Sequence, residues 1–351
     1  MPTTATKPAT RRRRKARIAD VAKIAAVSPA TVSRFLSNPS RVSLEKRNRI
    51  ESAIAELRYI PDAAARALVT ERSMTIGIVV PTLDLGSFAV GVEALQERLD
   101  AENYMPLLAL SNFNQDLEAR HVANLIQRGV DGIVLVGLGH DPKTYTFLED
   151  SDIPFVNTWS YDSDSAYPCV GFDNRAASRR ITDYLISLGH RRIAMIAGGM
   201  EHANDRASAR LSGFLDSLKA SGISLPKERV VEVAYSLERG RAGLRELMAL
   251  PEPPTAIVCG TDLFAFGAIL ECIHLGYSVP QDVSITGFDD LPMAARFAPS
   301  LTTVHTPARE MGLRAADYLL ASLKGESVIR HLELEANLIV RASTAEPKQD
   351  A

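Results

Sequence analysis

Hydrophobic positions recur in two rhythms along this chain, and the change between them divides it. From Ile18 to Leu57 apolar residues return every three or four positions, the spacing of helices that bury one face. Ile18, Val21, Ala22 and Ala25 form the first stripe, with Lys23 outside it. Ser28 followed by Pro29 predicts a second helix start, because serine caps a helix and proline's missing N–H is not needed at the first helical position. Over 29–36, Val32, Phe35 and Leu36 face inward and leave Ala30, Thr31, Ser33 and Arg34 for solvent or a partner. A third helix after Ser43 buries Ile50, Ala53, Ile54 and Leu57, with Lys46, Arg47 and Arg49 outside.

From Met74 the rhythm changes. Short uncharged runs rich in Val, Ile and Leu lie at 76–80, 105–110, 132–136, 155–156, 193–197, 256–259 and 283–286. Amphipathic stretches at 90–103, 116–128, 174–188, 208–221, 237–249, 262–275 and 308–324 alternate with them. The runs read as parallel strands buried on both faces, and the whole as an α/β, doubly wound architecture. These roughly 280 residues exceed what one core usually supports, so two lobes are expected. Ligands of open parallel sheets sit beyond the carboxyl ends of the strands, which places a site in the cleft between the lobes. The expected plan is a flexible basic arm over 1–16, a small all-α domain over 17–61, a hinge and linker over 62–73, a two-lobed α/β domain over 74–342 and a polar tail over 343–351.

Charge sharpens this division. Residues 1–72 hold 16 Lys and Arg against 6 Asp and Glu, while the remainder holds 24 against 36. A basic head on an acidic body is the electrostatic footprint of a domain that binds phosphates, and it argues against a helical bundle with no ligand. The run Arg11-Arg12-Arg13-Arg14-Lys15 fits an arm that strengthens DNA binding without choosing sequence.

The head carries Asp20-Val21-Ala22, Val27-Ser28, Thr31-Val32-Ser33-Arg34, Val42-Ser43 and Tyr59-Ile60-Pro61 in that order. This pattern resembles the N-terminal signature of the lac repressor (LacI) family of bacterial transcription regulators, with Ala26 in place of the family's turn glycine and Ser37 in place of the usual asparagine. The body resembles the periplasmic-binding-protein-like module of the same family, through Gly171-Phe172-Asp173-Asn174, Leu188-Gly189-His190, Arg210-Leu211-Ser212-Gly213-Phe214, Thr261-Asp262, Gly287-Phe288-Asp289-Asp290 and Pro299-Ser300-Leu301-Thr302. There Thr261 stands where the family usually has asparagine, and Ala177 where it has glycine.

The resemblance implies a helix-turn-helix whose second helix meets base edges through Pro29, Ala30 and Arg34. Arg34 is the hydrogen-bond donor among them and suits O6 and N7 of a guanine, a contact worth about 1–3 kcal/mol of discrimination. Thr31, Ser33 and Ser43 are candidate phosphate partners. Ser28 joins them, although capping alone would also explain Ser28 and Ser43. Segment 61–70 is alanine-rich and too short for a stable isolated helix. The family's hinge helix pairs with its twin and wedges a leucine, here Leu68, into the minor groove; a plain linker is the alternative. One head reads a half-site, so a homodimer on a palindromic double-stranded operator is expected.

For the cleft, the resemblance supplies Arg210 and strand-end placement supplies Asp289, a combination suited to a sugar or sugar acid. Trp159, the only tryptophan, offers a face to a sugar ring, and Phe88, Asn157 and Asp262 complete the candidate set. The alternatives are Trp159 and Phe88 as core, Asp262 and Asp289 as helix caps, and Arg210 as an interlobe ion pair. The expected function is a repressor under effector control, with release or corepression left open by the sequence.

No motif supplies a nucleophile, base and orienting group together, so an enzyme is not expected, and an exported solute-binding protein would have no use for the basic head. Cys169, Cys259 and Cys272 lack metal spacing, no HExxH pair occurs, and Gly198-Gly199 lacks the Lys-Ser/Thr of a phosphate loop. No metal or cofactor is expected. Free thiols, the lack of a secretory h-region and the lack of a long apolar span fit a cytoplasmic protein without membrane contact.

Overall fold

A computed structural model describes residues 16–61, 67, 72–199 and 204–348. The basic run at 11–15 and Leu68 lie outside the described residues. Two compact units divide the chain, one ending at Ser73 and the other beginning at Met74.

The first unit contains α1 (Ile18–Ile24), α2 (Pro29–Ser37) and α3 (Leu44–Leu57). Val21, Ala22, Ala25, Val32, Phe35, Val42, Ile50 and Ala53 form its core, with Leu36, Ile54 and Leu57 half-buried at the margin. Ser28 caps α2, its Oγ accepting the Thr31 N–H at 3.1 Å. Ser43 occupies the same position before α3, but its hydroxyl makes no capping bond. Between α1 and α2, Ala26 takes φ +48°, a left-handed conformation that costs a residue with a β-carbon about 1–2 kcal/mol. The Arg49 guanidinium donates to the Ala26 carbonyl at 2.9 Å and braces that turn.

The second unit has two lobes. The first lobe takes β1 (Thr75–Val80), α4 (Gly86–Asp100), β2 (Met105–Leu110), α5 (Gln115–Gln127), β3 (Gly132–Val136), α6 (Pro142–Asp150), β4 (Phe155–Thr158) and β5 (Cys169–Gly171). The second takes α7 (Asn174–Ser187), β6 (Ile193–Gly198), α8 (Asp205–Ala220), β7 (Val230–Val233), α9 (Leu237–Met248), β8 (Ala256–Cys259), α10 (Asp262–Leu275), β9 (Ser284–Asp289) and β10 (Thr302–His305). The chain then returns through α11 (Ala308–Leu323) and β11 (His331–Glu333) to the first lobe, and through β12 (Asn337–Ile339) to the second.

Strand order is β11-β5-β4-β3-β1-β2 in one sheet and β12-β10-β9-β8-β6-β7 in the other. All pairings are parallel except that of β10 with β12. Both sheets therefore reverse direction of growth beside their first strand, which is where α/β sites assemble. α11 crosses α4 closely: a β-carbon on Gly312 would lie 2.1 Å from the Gly91 carbonyl oxygen.

Several expectations need correction. The run 105–110 is not buried on both faces. β2 is an edge strand with Met105 65% exposed, and its run of apolar residues does not reveal that one side is open. Helices α4 and α8 begin at Gly86 and Asp205, earlier than the apolar periodicity indicates, because their first turns carry small or polar residues. The strands β5, β7, β10, β11 and β12 each have three or four residues, too few to show a period. Residues 343–348, expected as tail, run along the second lobe: Ser343 is fully buried, its Oγ donating to the Ile285 carbonyl at 2.6 Å and accepting the Thr302 N–H at 2.9 Å. No helix among the described residues is long and apolar enough to cross a membrane.

Candidate functional site: a nucleic-acid interface and an interlobe cleft

On the first unit, α2 turns Val32 and Phe35 into the core and thereby presents Pro29, Ala30 and Arg34 to solvent, with Thr31 and Ser33 half-exposed. The small Ala30 leaves room for close approach, and the Arg34 side chain has no ion pair or hydrogen bond among the described residues. Thr31 Oγ1 lies 2.8 Å from Ser28 Oγ, so these two hydroxyls share a bond at the helix N-terminus. Ser43 is exposed and its hydroxyl is uncommitted among the described residues. Arg47 and Arg49, by contrast, are engaged with the backbone carbonyls of Val42 and Ala26. Lys23, Arg41 and Lys46 remain exposed around this face. Cations and hydroxyls flanking a helix with one free arginine suit phosphate anchoring plus base-edge reading.

In the second unit the carboxyl ends of the strands in the two lobes face one another. Phe88, Phe113 and Trp159 of the first lobe meet Arg206, Arg210, Tyr235 and Asp289 of the second around a space of about 20 Å³. Four of the six expected ligand residues, Phe88, Trp159, Arg210 and Asp289, come together here. Trp159 follows β4 at φ +63° and meets Phe88 edge-on with ring centroids 5.1 Å apart. Its indole N–H is buried and has no hydrogen-bond partner among the described residues. Both rings also pack into the core of the unit, so each lies in core and cleft alike.

Arg210 is anchored by neutral groups as well as by charge. Its Nε donates to Asn174 Oδ1 at 2.9 Å, its Nη1 to the Gly260 carbonyl at 2.7 Å, and its guanidinium carbon lies 3.6 Å from the centroid of Phe288. Burial lowers its pKa against the opposing pull of Asp289. Asp289 sits at φ +126°, where β9 ends. Burial pushes its carboxyl up to about 6, while the Arg210 charge and hydrogen bonds from Thr306 and Ser87 work to lower it. The interlobe ion pair considered for Arg210 does not form at contact distance among the described residues; Asn174 and Gly260 accept from its N–H groups instead.

Asn157 and Asp262 lie one layer back. Asn157 is fully buried beneath His140, whose Nε2 lies 3.2 Å from Asn157 Oδ1. Asp262 is also fully buried and accepts the Thr303 hydroxyl at 2.6 Å and the Leu291 N–H at 2.7 Å. It braces the segment after β9 from inside the lobe, and neither residue lines the cleft.

The residues the sequence did not single out are Phe113, Asn204, Asp205, Arg206 and Tyr235. Phe113 stacks on Tyr235 across the cleft at 4.7 Å and 12°, and Tyr235 stacks in turn on Phe264 at 5.4 Å. Asn204 Nδ2 donates to the Tyr235 hydroxyl at 2.9 Å. Tyr235 follows the short edge strand β7, and Phe113 follows β2, so locating strand ends correctly is the signal that finds them. Flat rings, two buried guanidinium groups and a carboxylate supply the groups that hold a hydroxylated ring, with or without an acidic group, while the space of about 20 Å³ between them admits about one water until the lobes part. Among the described residues, no group of three or more His, Cys, Asp or Glu could hold a metal ion.

Residues 17–62 match the family described as bacterial regulatory proteins, lacI family, and residues 182–344 match the periplasmic binding protein-like domain. The chain is 33% identical over 313 residues to the HTH-type transcriptional regulator GntR of Escherichia coli (strain K12), covering 88% of this chain and 92% of that protein. The solved structure of the lac repressor dimer bound to operator and the anti-inducer ONPF superposes with a TM-score of 0.85 at 27% identity, covering 95% of this chain and 100% of that one. A transcriptional regulator CelR–cellobiose complex superposes with a TM-score of 0.67 at 28% identity, covering 94% and 100%.

Proposed function

The chain belongs to the LacI family of bacterial transcription regulators, and from that premise we propose that it is a homodimeric repressor whose operator affinity is set by a sugar or sugar acid held in the interlobe cleft. Its relatives are regulators rather than enzymes, and sequence-specific DNA binding is the activity they share. The observation that carries the DNA half is the capped helix α2, which offers Arg34, Ala30 and Pro29 without an intramolecular partner for the guanidinium. Arg34 reads a guanine, Pro29 and Ala30 make apolar contact, and Ser28, Thr31, Ser33 and Ser43 anchor the backbone.

Dimerisation is supported by exposed apolar side chains at two places on the second unit, Met105, Leu108 and Leu110 along the edge strand β2 and Leu270, Ile273 and Leu275 on α10. Open apolar edges of this kind are normally covered. Two heads then read a palindrome in the cytoplasm, and Leu68 serves as the minor-groove wedge. Phe88, Trp159, Arg210 and Asp289 contact the effector, with Asn157 and Asp262 supporting them from behind. Effector binding shifts the relative position of the lobes, separates the hinges and releases DNA; it can do so only through unequal affinity for the two arrangements.

Selection from a pool of random duplexes by the full-length protein, with and without a panel of aldoses, disaccharides and sugar acids, tests this reading. Enrichment of a palindrome that one compound releases is expected. No enriched sequence under any condition would overturn it, and a palindrome bound only with a compound would reverse the sign of the switch.

A further inference from the structure

Atoms of the chain itself bridge the cleft. Asp205 and Arg206 open α8 in the second lobe, yet their polar groups are satisfied on the first. Asp205 Oδ2 accepts the Leu138 N–H at 2.9 Å and the Ser160 hydroxyl at 2.7 Å, and Arg206 Nη1 donates to the Val136 carbonyl at 3.1 Å. The same Nη1 lies 2.9 Å from Asp205 Oδ1, so the two side chains reach across as one unit. The receiving strand end is shaped for them. Gly137 takes φ +98°, and a β-carbon there would lie 2.2 Å from Arg206 Nη1 and 2.6 Å from Asp205 Oδ1. Burial works to raise the Asp205 carboxyl, but the Arg206 charge and the Ser160 and Leu138 donors outweigh it and hold the group below its ordinary value. Beside this bridge lies the Phe113–Tyr235 stack, presented from a turn in which Asn112 and Phe113 both take positive φ.

We propose that Asp205 and Arg206 form a built-in latch that keeps the two lobes together, with Asp205 as a positioning residue for the effector response. This rests on the reading of the cleft as the effector site. Three bonds to an ionised pair in a water-poor crevice hold more firmly than the same bonds in solvent. With the latch formed the cleft holds a space of about 20 Å³, enough for about one water, so an effector binds only when the latch opens and its apparent affinity is reduced by the fraction of molecules that are latched. Removing the latch therefore has two consequences in the same direction. Effector association becomes faster because nothing must open first, and equilibrium affinity strengthens. A purely structural role for Asp205 would not accelerate association.

Trp159 makes the latch visible, being the only tryptophan and 4% exposed in the cleft wall. Acrylamide quenching of its emission should be compared in the full-length wild type, Asp205→Asn and Ser160→Ala, with far-UV circular dichroism as a control and no added compound or DNA. Loss of one charge-assisted bond shifts the ratio of latched to open forms by on the order of tenfold. The expected result is weak quenching in the wild type, strong quenching in Asp205→Asn and an intermediate value in Ser160→Ala, with unchanged dichroism. If Asp205→Asn does not fold, Ser160→Ala decides alone. Equal quenching in the wild type and folded variants, or strong quenching already in the wild type, would overturn the latch. Neither result depends on a sugar or an operator, so failure here is distinct from failure of the duplex selection.

Discussion

Two arginines mark the difference between the halves of this molecule. Arg34 on α2 is exposed and uncommitted among the described residues, whereas Arg210 is 8% exposed and tied to Asn174, Gly260 and Phe288. On the proposed function Arg34 meets a partner in a groove with a side chain its own fold leaves free, while the small domain depends on eight buried apolar residues for stability. On the same proposal Arg210 holds a small molecule in a dry crevice, from a position fixed beforehand by bonds on which the fold also depends. Function and stability are therefore separable at Arg34 and inseparable at Arg210.

The largest expected effect breaks the buried half. Arg210→Ala takes the guanidinium donor from Asn174 Oδ1 and the Gly260 carbonyl and the nearby charge from Asp289, and each of the two buried acceptors left unsatisfied costs about 1–3 kcal/mol. Urea unfolding should show a loss of that size together with loss of effector binding; an unchanged midpoint would dissolve the contrast with Arg34. Next comes Arg34→Ala, which should weaken operator binding by about 1–3 kcal/mol and relax preference at one base pair. Its melting temperature should match the wild type, and a comparable loss on every sequence would make Arg34 a phosphate anchor instead.

A smaller effect sharpens the comparison through pH. Burial, with the charge of Asp289 as a second cause, pushes the Asp262 carboxyl from its ordinary 3.8 up to about 7. Across that window the folded protein holds a proton that the unfolded chain has released, so this group removes stability as pH rises, by about 1.4 kcal/mol per pH unit. Asp262→Asn abolishes the contribution, so its stability relative to wild type should climb from pH 4 to pH 7; parallel profiles by urea titration would refute the assignment. The smallest effect lies in the head, where Ala26→Gly relieves the positive φ and should raise stability by about 1 kcal/mol in thermal melts without altering operator preference.

The same contrast explains what the sequence discloses. The head is legible because its cap, its stripe and its exposed positions all lie within one continuous segment, and α2 ends one residue beyond the expected span. The lobes are legible wherever a buried strand is four residues or longer and wholly apolar, as in β3 and β8. The cleft is lined by residues that follow or end seven strands, β1, β2, β4, β6, β7, β8 and β9, so single errors in placing a strand hide its residues. Tyr235 was hidden behind β7, whose Glu232 interrupts the apolar run. Asp262, beside a strand end in sequence, instead turns inward to Thr303 and Leu291, a choice of direction that no local pattern encodes.

The most direct test of effector-controlled DNA binding follows both halves in one titration. The selected duplex, carrying a fluorescent label, is bound to the full-length protein, and the compound found in the selection is added while DNA anisotropy and Trp159 emission are recorded together. Effector control through the cleft requires that both signals change over the same concentration range, and that Arg210→Ala abolishes both responses to the compound. DNA release with no change at Trp159, or a change at Trp159 that leaves DNA bound, would contradict it.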